Sequence, residues 1–531
     1  MKKTYVLLVL ALLFGLLFPA TVSAQQPGVL RVPISADPEH LDPFRSTTTI
    51  TRAIIINVYE GLTTFDPETA TVAPALADSW DISEDGLVYT FHLKEGVLFQ
   101  DVEGVEYEDR TVTAEDWVWS MKMFLSGDEA ISTHPDYLEA VLGAPEFTAG
   151  EAEDVEGINV IDDYTLEITL SAPNHRFLYD LINVYVVPQE AYEQLGEEFS
   201  NRPVGTGPFI FQEWLRDDHI TLVANPEYWE EGYPLVDELR FLNIPDDNNQ
   251  ALMYREGDLD VLLSFPTGQR QLLREEFADQ YVELPGLNVR YFGFDMEQGF
   301  FAENPLVRQA FAHAFNRELV WNVLMEGDRF PGDMGVLPPA MPAAEVTTRY
   351  PYDLERAAQL LEEAGFPGGE GMPEIDLYVF ASAANELSLP TLQADLASLG
   401  VTLNIVVEDN STYWGHIGEP DVIMFLSGWS ADFADPSEIF NFLFLDGRDD
   451  THYNNPEVNE MIRRATTITD DAERNALYLE IHERIMQDCP WIVSAYSKVS
   501  FLRQPWVEGL VASPAGIYRT PWKYVGVSGD M

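Results

Sequence analysis

Apolar and polar residues alternate twice between Ala75 and Leu93. Trp80 and Ile82 alternate with polar neighbours, Glu84-Asp85-Gly86 is a turn signal, and Val88 to Leu93 alternates again. Period two on both sides of a turn predicts a β-hairpin. The period then changes. Thr113-Ala114-Glu115-Asp116 opens a helix, with Thr113 as N-cap and two carboxylates where the helix dipole favours them. Leu30 to Ile34 reads as a first strand, and Ile50 to Tyr59 as a helix. Gly127 to Gly157 is acidic and loop-rich, and Asn159 to Leu170 is a second hairpin around Asp162-Asp163. Strands follow at Phe209 to Trp214, Ile220 to Ala224, Leu239 to Ile244 and Val261 to Leu263, with a helix at Asp247 to Glu256.

A second region starts near Leu287. Tyr291 to Asp295 is a short strand. A helix beginning at Asn304 keeps Val307, Ala310, Phe311, Ala314 and Phe315 at spacings of three and four. Leu354 to Ala364 is a helix closed by Gly365. Strands Ile375 to Phe380 and Leu403 to Val407 flank a helix at Leu389 to Leu399, a βαβ pattern that implies a parallel or mixed sheet. Asp421 to Ser427 is nearly continuously apolar, as a buried strand should be. Helices at Asn455 to Thr466 and Ala472 to Asp488, then strands near Ile492 and Val511, complete an α/β pattern without internal repeats.

At 531 residues the chain exceeds one typical domain. Its 46% hydrophobic and 12% aromatic content can build packed cores, despite the acidity described next. The formal net charge is −59, from 30 basic and 89 acidic residues. Clustered Lys and Arg are what phosphate recognition needs, so nucleic acid is not an expected partner. Such charge repels itself in the compact state, and salt relieves it as the Debye length shortens to ~3 Å at 1 M. Together with six lysines against 24 arginines, this predicts a saline or alkaline habitat. Stability should therefore rise between low and molar salt, and a denaturation midpoint that does not move would refute the saline reading.

The N-terminus has the pattern of a secretory signal. Lys2 and Lys3 precede an apolar run from Tyr5 to Phe18 that is too short to span a bilayer comfortably, and Val22-Ser23-Ala24 is a small-residue cleavage site. The expectation is a signal peptide at 1–24, a cut after Ala24, and a soluble periplasmic or extracellular product. Cys489 is the sole cysteine, so no lipid-attachable cysteine stands at the cut and no intrachain disulfide can form.

Little points to catalysis. The nine histidines show no His-x-x-x-His pair, Gly-x-Ser-x-Gly is absent, and Cys489 before Pro490 reads as a buried structural thiol. Pro203 to Pro208 (PVGTGP) looks like a phosphate loop, but no Gly-Lys-Ser/Thr follows and the next element is a strand. No catalytic residue, metal site or cofactor is expected. The sharpest feature is Ser427-Gly428-Trp429-Ser430-Ala431-Asp432-Phe433-Ala434-Asp435-Pro436. Open α/β sheets bind ligands at the carboxyl ends of their strands. Gly428 permits close backbone approach, Trp429 offers an apolar wall, and a carboxylate there can pair with an ammonium group. The plainer role for Asp432 or Asp435 is to cap a helix at Ser437 to Leu443, and for Asp435 capping is the expected role.

Several segments, in order along the mature chain, resemble bacterial extracellular solute-binding proteins of family 5, the oligopeptide and dipeptide binders that serve ABC importers. They are Ala75 to Lys122, PVGTGPF, ANPEYW and the REGDLDV element. The resemblance implies a two-lobed periplasmic-binding-protein fold of the class with an extra subdomain, its mixed sheets flanked by helices and its ligand cleft between the lobes. It divides the chain into a lobe I core (25–58, 185–286 and 493–531), an extra subdomain (59–184) and lobe II (287–492). Hinges would fall near Glu283 to Val289 and Trp491 to Tyr496.

The resemblance also implies a function: capture of a di- or oligopeptide and delivery to a membrane permease with its ATPase subunits, by a non-enzymatic monomer that meets the membrane only through the permease. The acid matching Asp432 takes the peptide amino terminus in such relatives, and Ser427, Gly428, Trp429 and Ser430 line the cleft beside it. Ser46, Thr47, Thr48 and Thr49 stand where relatives meet the peptide backbone, although the same hydroxyls suit an N-cap for the following helix. Tyr137, Trp414 and Tyr496 are further candidates that aromatic burial could equally explain. Leu426 departs from the pattern, because well-known oligopeptide binders carry an arginine there that helps receive ligand charge. Two other classes remain open. One is a non-peptide solute such as an oligosaccharide, which 11 tryptophans would suit; the other is an extracellular hydrolase.

Overall fold

The computed structural model describes residues 28–528 apart from 108, 109, 175, 267 and 469. The expected leader and its cleavage site lie outside the described residues.

The first half of the chain builds two four-stranded sheets on one continuous core. Val29–Ile34 pairs in parallel with Glu238–Asn243, which runs antiparallel to His219–Ala224, itself paired with Phe209–Leu215. The second sheet holds both predicted hairpins, in the order Ala77–Ile82, Val88–Leu93, Thr165–Thr169, Ile158–Asp162. Alternation along Val88–Leu93 turns Tyr89, Phe91 and Leu93 inward, onto the helix Ala114–Phe124 with its buried Trp117, Met121 and Phe124. Asp116 reaches back to that helix's start, accepting from the Thr113 N–H at 2.8 Å, and pairs with Arg110 at 2.6 Å. The PVGTGP turn lies against Asn57 and Val58, where a Cβ on Gly205 would stand 2.3 Å from the Val58 carbonyl oxygen. Its glycines thus serve a close backbone crossing rather than a phosphate.

The second half is organised by a seven-stranded mixed sheet. Tyr281–Phe294 and Trp491–Arg503 run side by side at its centre; Met424–Ser430, Ile375–Phe380 and Leu403–Glu408 follow outward. Ile375–Phe380 and Leu403–Glu408 are parallel, joined by the helix Ala383–Ser398, as the βαβ pattern predicts. Alternate residues serve two cores: Val289, Tyr291 and Phe425 belong to one; Phe292, Phe294, Met424 and Leu426 to the other. This helix-flanked layer differs from the first half, where one core is shared by two sheets.

Two long strands link the halves. Residues 281–285 pair with 498–502, beside Val261–Leu262 of the first half, and 289–293 pair with 491–496 within the second. The ladder slips between Pro285 and Val289, where Ser497 Oγ accepts from the Asn288 N–H at 3.1 Å. That bulge falls inside the span expected to bend at Glu283 to Val289. The opposite span, Trp491 to Tyr496, is continuous ladder with one further slip facing Arg290/Tyr291.

The reading is corrected at several elements. Tyr291 to Asp295 is the end of a 14-residue strand, and the first helix is shorter than expected, at Thr49–Ile55. The buried strand expected at Asp421 to Ser427 runs from Met424 to Ser430, so Gly428 and Trp429 continue the sheet beyond the expected strand end. Among the described residues, no helix is long and apolar enough to cross a membrane.

Candidate ligand-binding site

Met424–Ser430 sits between Tyr281–Phe294 and Ile375–Phe380, with Ser427 opposite Tyr291, Gly428 opposite Arg290 and Ser430 opposite Asn288. Ser427 is buried, whereas Gly428 and Ser430 are exposed. The two strands come so close that a Cβ on Gly428 would lie 2.9 Å from the Val289 carbonyl oxygen. Trp429 stacks on Phe442 at 5.6 Å and 22°. Beyond the strand's carboxyl end, Asp435 accepts from the Ser437 N–H at 2.9 Å, one residue before Pro436, which holds the N-cap position of the helix Ser437–Leu443.

Asp432 does not cap that helix through its carboxylate. Its Oδ1 accepts from Arg519 Nη2 at 2.6 Å, across to the C-terminal segment of the first half. The Asp432 N–H donates to Glu438 Oε2 at 3.2 Å, and Glu438 pairs with Arg176 of the first half at 2.7 Å. Arg176 also holds Asp180 at 2.9 Å and lies 4.7 Å from the Phe442 ring centre. Beside it Tyr179 stacks on Phe433 at 4.0 Å and 16°. The two halves therefore meet along one edge through ion pairs laid on aromatic faces. Burial pushes the Glu438 carboxyl up to about 7 and that of Asp180 up to about 6, with Arg176 opposing the rise in both.

Across from Asp432, the first half contains a cavity of about 210 Å³ bordered by Arg52, Glu60, Phe65, Tyr185, Arg519 and Lys523. Glu60 is satisfied, accepting from Tyr228 Oη at 2.7 Å, Trp229 Nε1 at 3.0 Å and Thr206 Oγ1 at 2.9 Å. Burial raises its pKa while Lys523 opposes the rise. Lys523 in turn pairs with Glu230 at 2.6 Å. Arg519 lies 5.0 Å from the Phe65 ring centre. Arg52 donates to the Ser46 carbonyl at 3.3 Å and to Tyr137 Oη at 3.0 Å, and has no carboxylate partner among the described residues.

The remaining sequence candidates scatter. Tyr137 accepts from Arg52 of the cavity wall and stacks on His134 at 4.8 Å, and burial pushes its hydroxyl up to about 12. Ser46 is buried, and its carbonyl receives both Arg52 and His134. Thr48 accepts from the Thr51 N–H at 3.1 Å as the N-cap of Thr49–Ile55, while Thr47 and Thr49 are exposed beside it. Trp414 is half exposed and stacks on Phe380 at 6.1 Å. Tyr496 leaves the set: it is fully buried, its hydroxyl donating to the Gly335 carbonyl at 2.6 Å. Leu426 is core as well. Sequence reasoning missed Arg52, Arg176, Glu438 and Arg519. The one signal for the three arginines was that cations are scarce in this chain, and Glu438, one of 89 acids, had none. Among the described residues no cluster of His, Cys, Asp or Glu could hold a metal ion.

Comparison with known proteins bears on this geometry. A di/tripeptide-binding protein of Pseudomonas aeruginosa is 31% identical over 537 residues, covering 94% of this chain and 95% of that protein. Heme-binding protein A of Haemophilus influenzae is 31% identical over 473 residues, covering 86% and 85%. The ABC transporter-associated periplasmic binding protein DppA of Helicobacter pylori, solved with the peptide STSA, superposes with a TM-score of 0.70 at 28% identity, covering 94% of this chain and 98% of that one. Residues 71–451 match the middle region of bacterial extracellular solute-binding proteins, family 5. With that match and its two-lobed α/β fold, this chain belongs to the bacterial extracellular solute-binding proteins of family 5.

Proposed function

We propose that this protein captures a short peptide between its lobes and delivers it to the permease of an ABC importer. The observation that carries the reading is Asp432: a carboxylate beyond the end of a central strand, at the meeting of the lobes, already holding a guanidinium at 2.6 Å. A group that binds that cation can bind a peptide ammonium. Gly428 and Ser430 present strand backbone and a hydroxyl beside it, and Trp429 an aromatic wall, as a main chain and a side chain of a peptide require. The Pseudomonas relative named for di- and tripeptides supports the same class. Thr47, Thr49 and Tyr137 are proposed contacts from the first lobe.

The mechanism is a shift between open and closed lobes, to which ligand contacts from both sides add stability. The bulge at Pro285 to Val289 is the proposed bending point, and the lobe divisions are those read from the sequence. The chain performs no chemical step, works as a monomer outside the cytoplasmic membrane after loss of its leader, and needs no cofactor.

The test is thermal unfolding at high salt with free peptides, the same peptides N-acetylated, soluble oligosaccharides and haem. A ligand at ~100 times its dissociation constant adds ~2.7 kcal/mol, a readable rise in Tm. Free peptides should raise Tm and acetylated ones should not. A rise with oligosaccharides or haem alone would overturn the peptide reading, and steady turnover of any panel member would overturn a binding role.

A further inference from the structure

We infer that the bound peptide's carboxylate enters the first-lobe cavity and takes Arg519 away from Asp432, so that the ligand is a peptide of two or three residues with both termini free. This rests on the peptide reading and adds its second end.

Three observations converge. Arg519 joins the two ends of the site, because the guanidinium that borders the cavity is the same one that holds Asp432 at 2.6 Å. A ligand ammonium arriving at Asp432 competes with it for that carboxylate. Arg52, on the same cavity, has a carbonyl and a phenol as its partners among the described residues, in a chain with 89 acids. Lys523 is matched by Glu60 and Glu230. Once Asp432 turns to the ligand, the two guanidiniums share a cavity whose acids are already engaged, Glu60 by Tyr228, Trp229 and Thr206 and Glu230 by Lys523. Both line the same cavity as the buried Tyr185 and act on its hydroxyl, so they share one small space.

Leaving partly buried charges unpaired is costly. A ligand that brings an ammonium alone exchanges one pair for another and strands Arg519. A ligand that brings a carboxylate too exchanges one ion pair for two. Guanidinium forks match carboxylate geometry, which makes Arg52 and Arg519 suited to that end. The site thereby supplies from the first lobe the carboxylate recognition that Leu426, a buried core residue, cannot supply from the second. Length follows from the same contact. One arginine side chain spans the distance from cavity to Asp432, so the two ligand termini lie within ~7–10 Å, two or three extended residues.

The experiment is calorimetric titration of the mature protein with trialanine, trialanine C-terminal amide and N-acetyl-trialanine, on wild type and Arg519→Ala. Wild type should bind trialanine at least tenfold more tightly than the amide. Arg519→Ala should weaken trialanine by tenfold or more, yet bind the amide at least as tightly as wild type does, because Asp432 is released. Opposite signs for one substitution cannot arise from general damage to the fold. Arg52→Gln, which leaves the Asp432 pair intact, should weaken trialanine and spare the amide. Equal affinity of acid and amide for wild type, or parallel losses of both in Arg519→Ala, would overturn the inference and leave the peptide reading standing. No binding of any of the three to wild type would overturn both.

Discussion

Asp260→Ala should lower the free energy of unfolding by about 3–5 kcal/mol, the usual cost of removing one partner from a buried charge pair. Asp260 is fully buried and uses both oxygens. Oδ2 accepts from the Arg31 N–H at 2.7 Å and from Arg31 Nε at 3.0 Å. Oδ1 accepts from Arg31 Nη2 and from Trp506 Nε1, each at 2.8 Å. The backbone joins in, since the Asp260 N–H donates to the Arg31 carbonyl and its own carbonyl receives Gln504. One carboxylate thus ties the first strand to the final segment of the chain, which continues to Arg519. Truncation strands a guanidinium that is only 15% exposed, together with an indole N–H. Asp260→Asn keeps the shape and loses the charge, so it should cost less than the alanine. Chemical denaturation at molar salt reads both, with m unchanged if the denatured state is the same. A loss below about 1 kcal/mol for the alanine would mean that water replaces the carboxylate at no great cost.

Arg31 and Asp260 are 229 residues apart, and this separation marks where the sequence became unreadable. Local signals were enough for both hairpins, because Glu84-Asp85-Gly86 and Asp162-Asp163 punctuate clean alternation. The long crossing strand was cut short because Pro285-Gly286 reads as a break, whereas here it is a bulge held by pairing on both sides. Pro390 hid the first turns of Ala383–Ser398, although Ser382 caps them by accepting from the Asn385 N–H. Gly428 to Ser430 fell beyond the expected strand end at Ser427 because their strand character comes from the neighbouring ladder, not from their own propensities.

The candidate site divides in the same way. Asp432 carried a local motif and could be singled out. Arg519 lies 87 residues away in a segment with no pattern of its own, and nothing but folding brings it to that carboxylate. Tyr496 shows the reverse error: an aromatic near a crossing strand looked like a ligand contact, but tertiary packing spends its hydroxyl on Gly335.

Asp449→Asn should stabilise the protein by about 2–4 kcal/mol at pH 8 and change little at pH 4. Asp449 is buried in the second lobe, behind the strand residue Tyr291 that backs Ser427. Burial first, then the like charge of Asp450, pushes its carboxyl from 3.8 up to about 7, against hydrogen bonds that include Thr451 Oγ1 donating at 3.1 Å. The folded state thus holds this proton more tightly than the unfolded chain does. Its contribution is complete below the unfolded value, near 4, and is lost as pH rises through about 7. Above that, the folded protein carries an ionised carboxylate that solvent scarcely reaches. Asparagine keeps an oxygen for Thr451 and removes the charge, so it fixes the low-pH condition at every pH. Urea denaturation of wild type and variant across pH 4–8 should give curves that separate progressively from the acid side upward. The trialanine affinity of the variant should match wild type, since Asp449 does not line the cavity that Arg519 borders. Curves that run parallel over the whole range would show that this carboxylate is ionised and well solvated in the folded protein, against the packing described for it here.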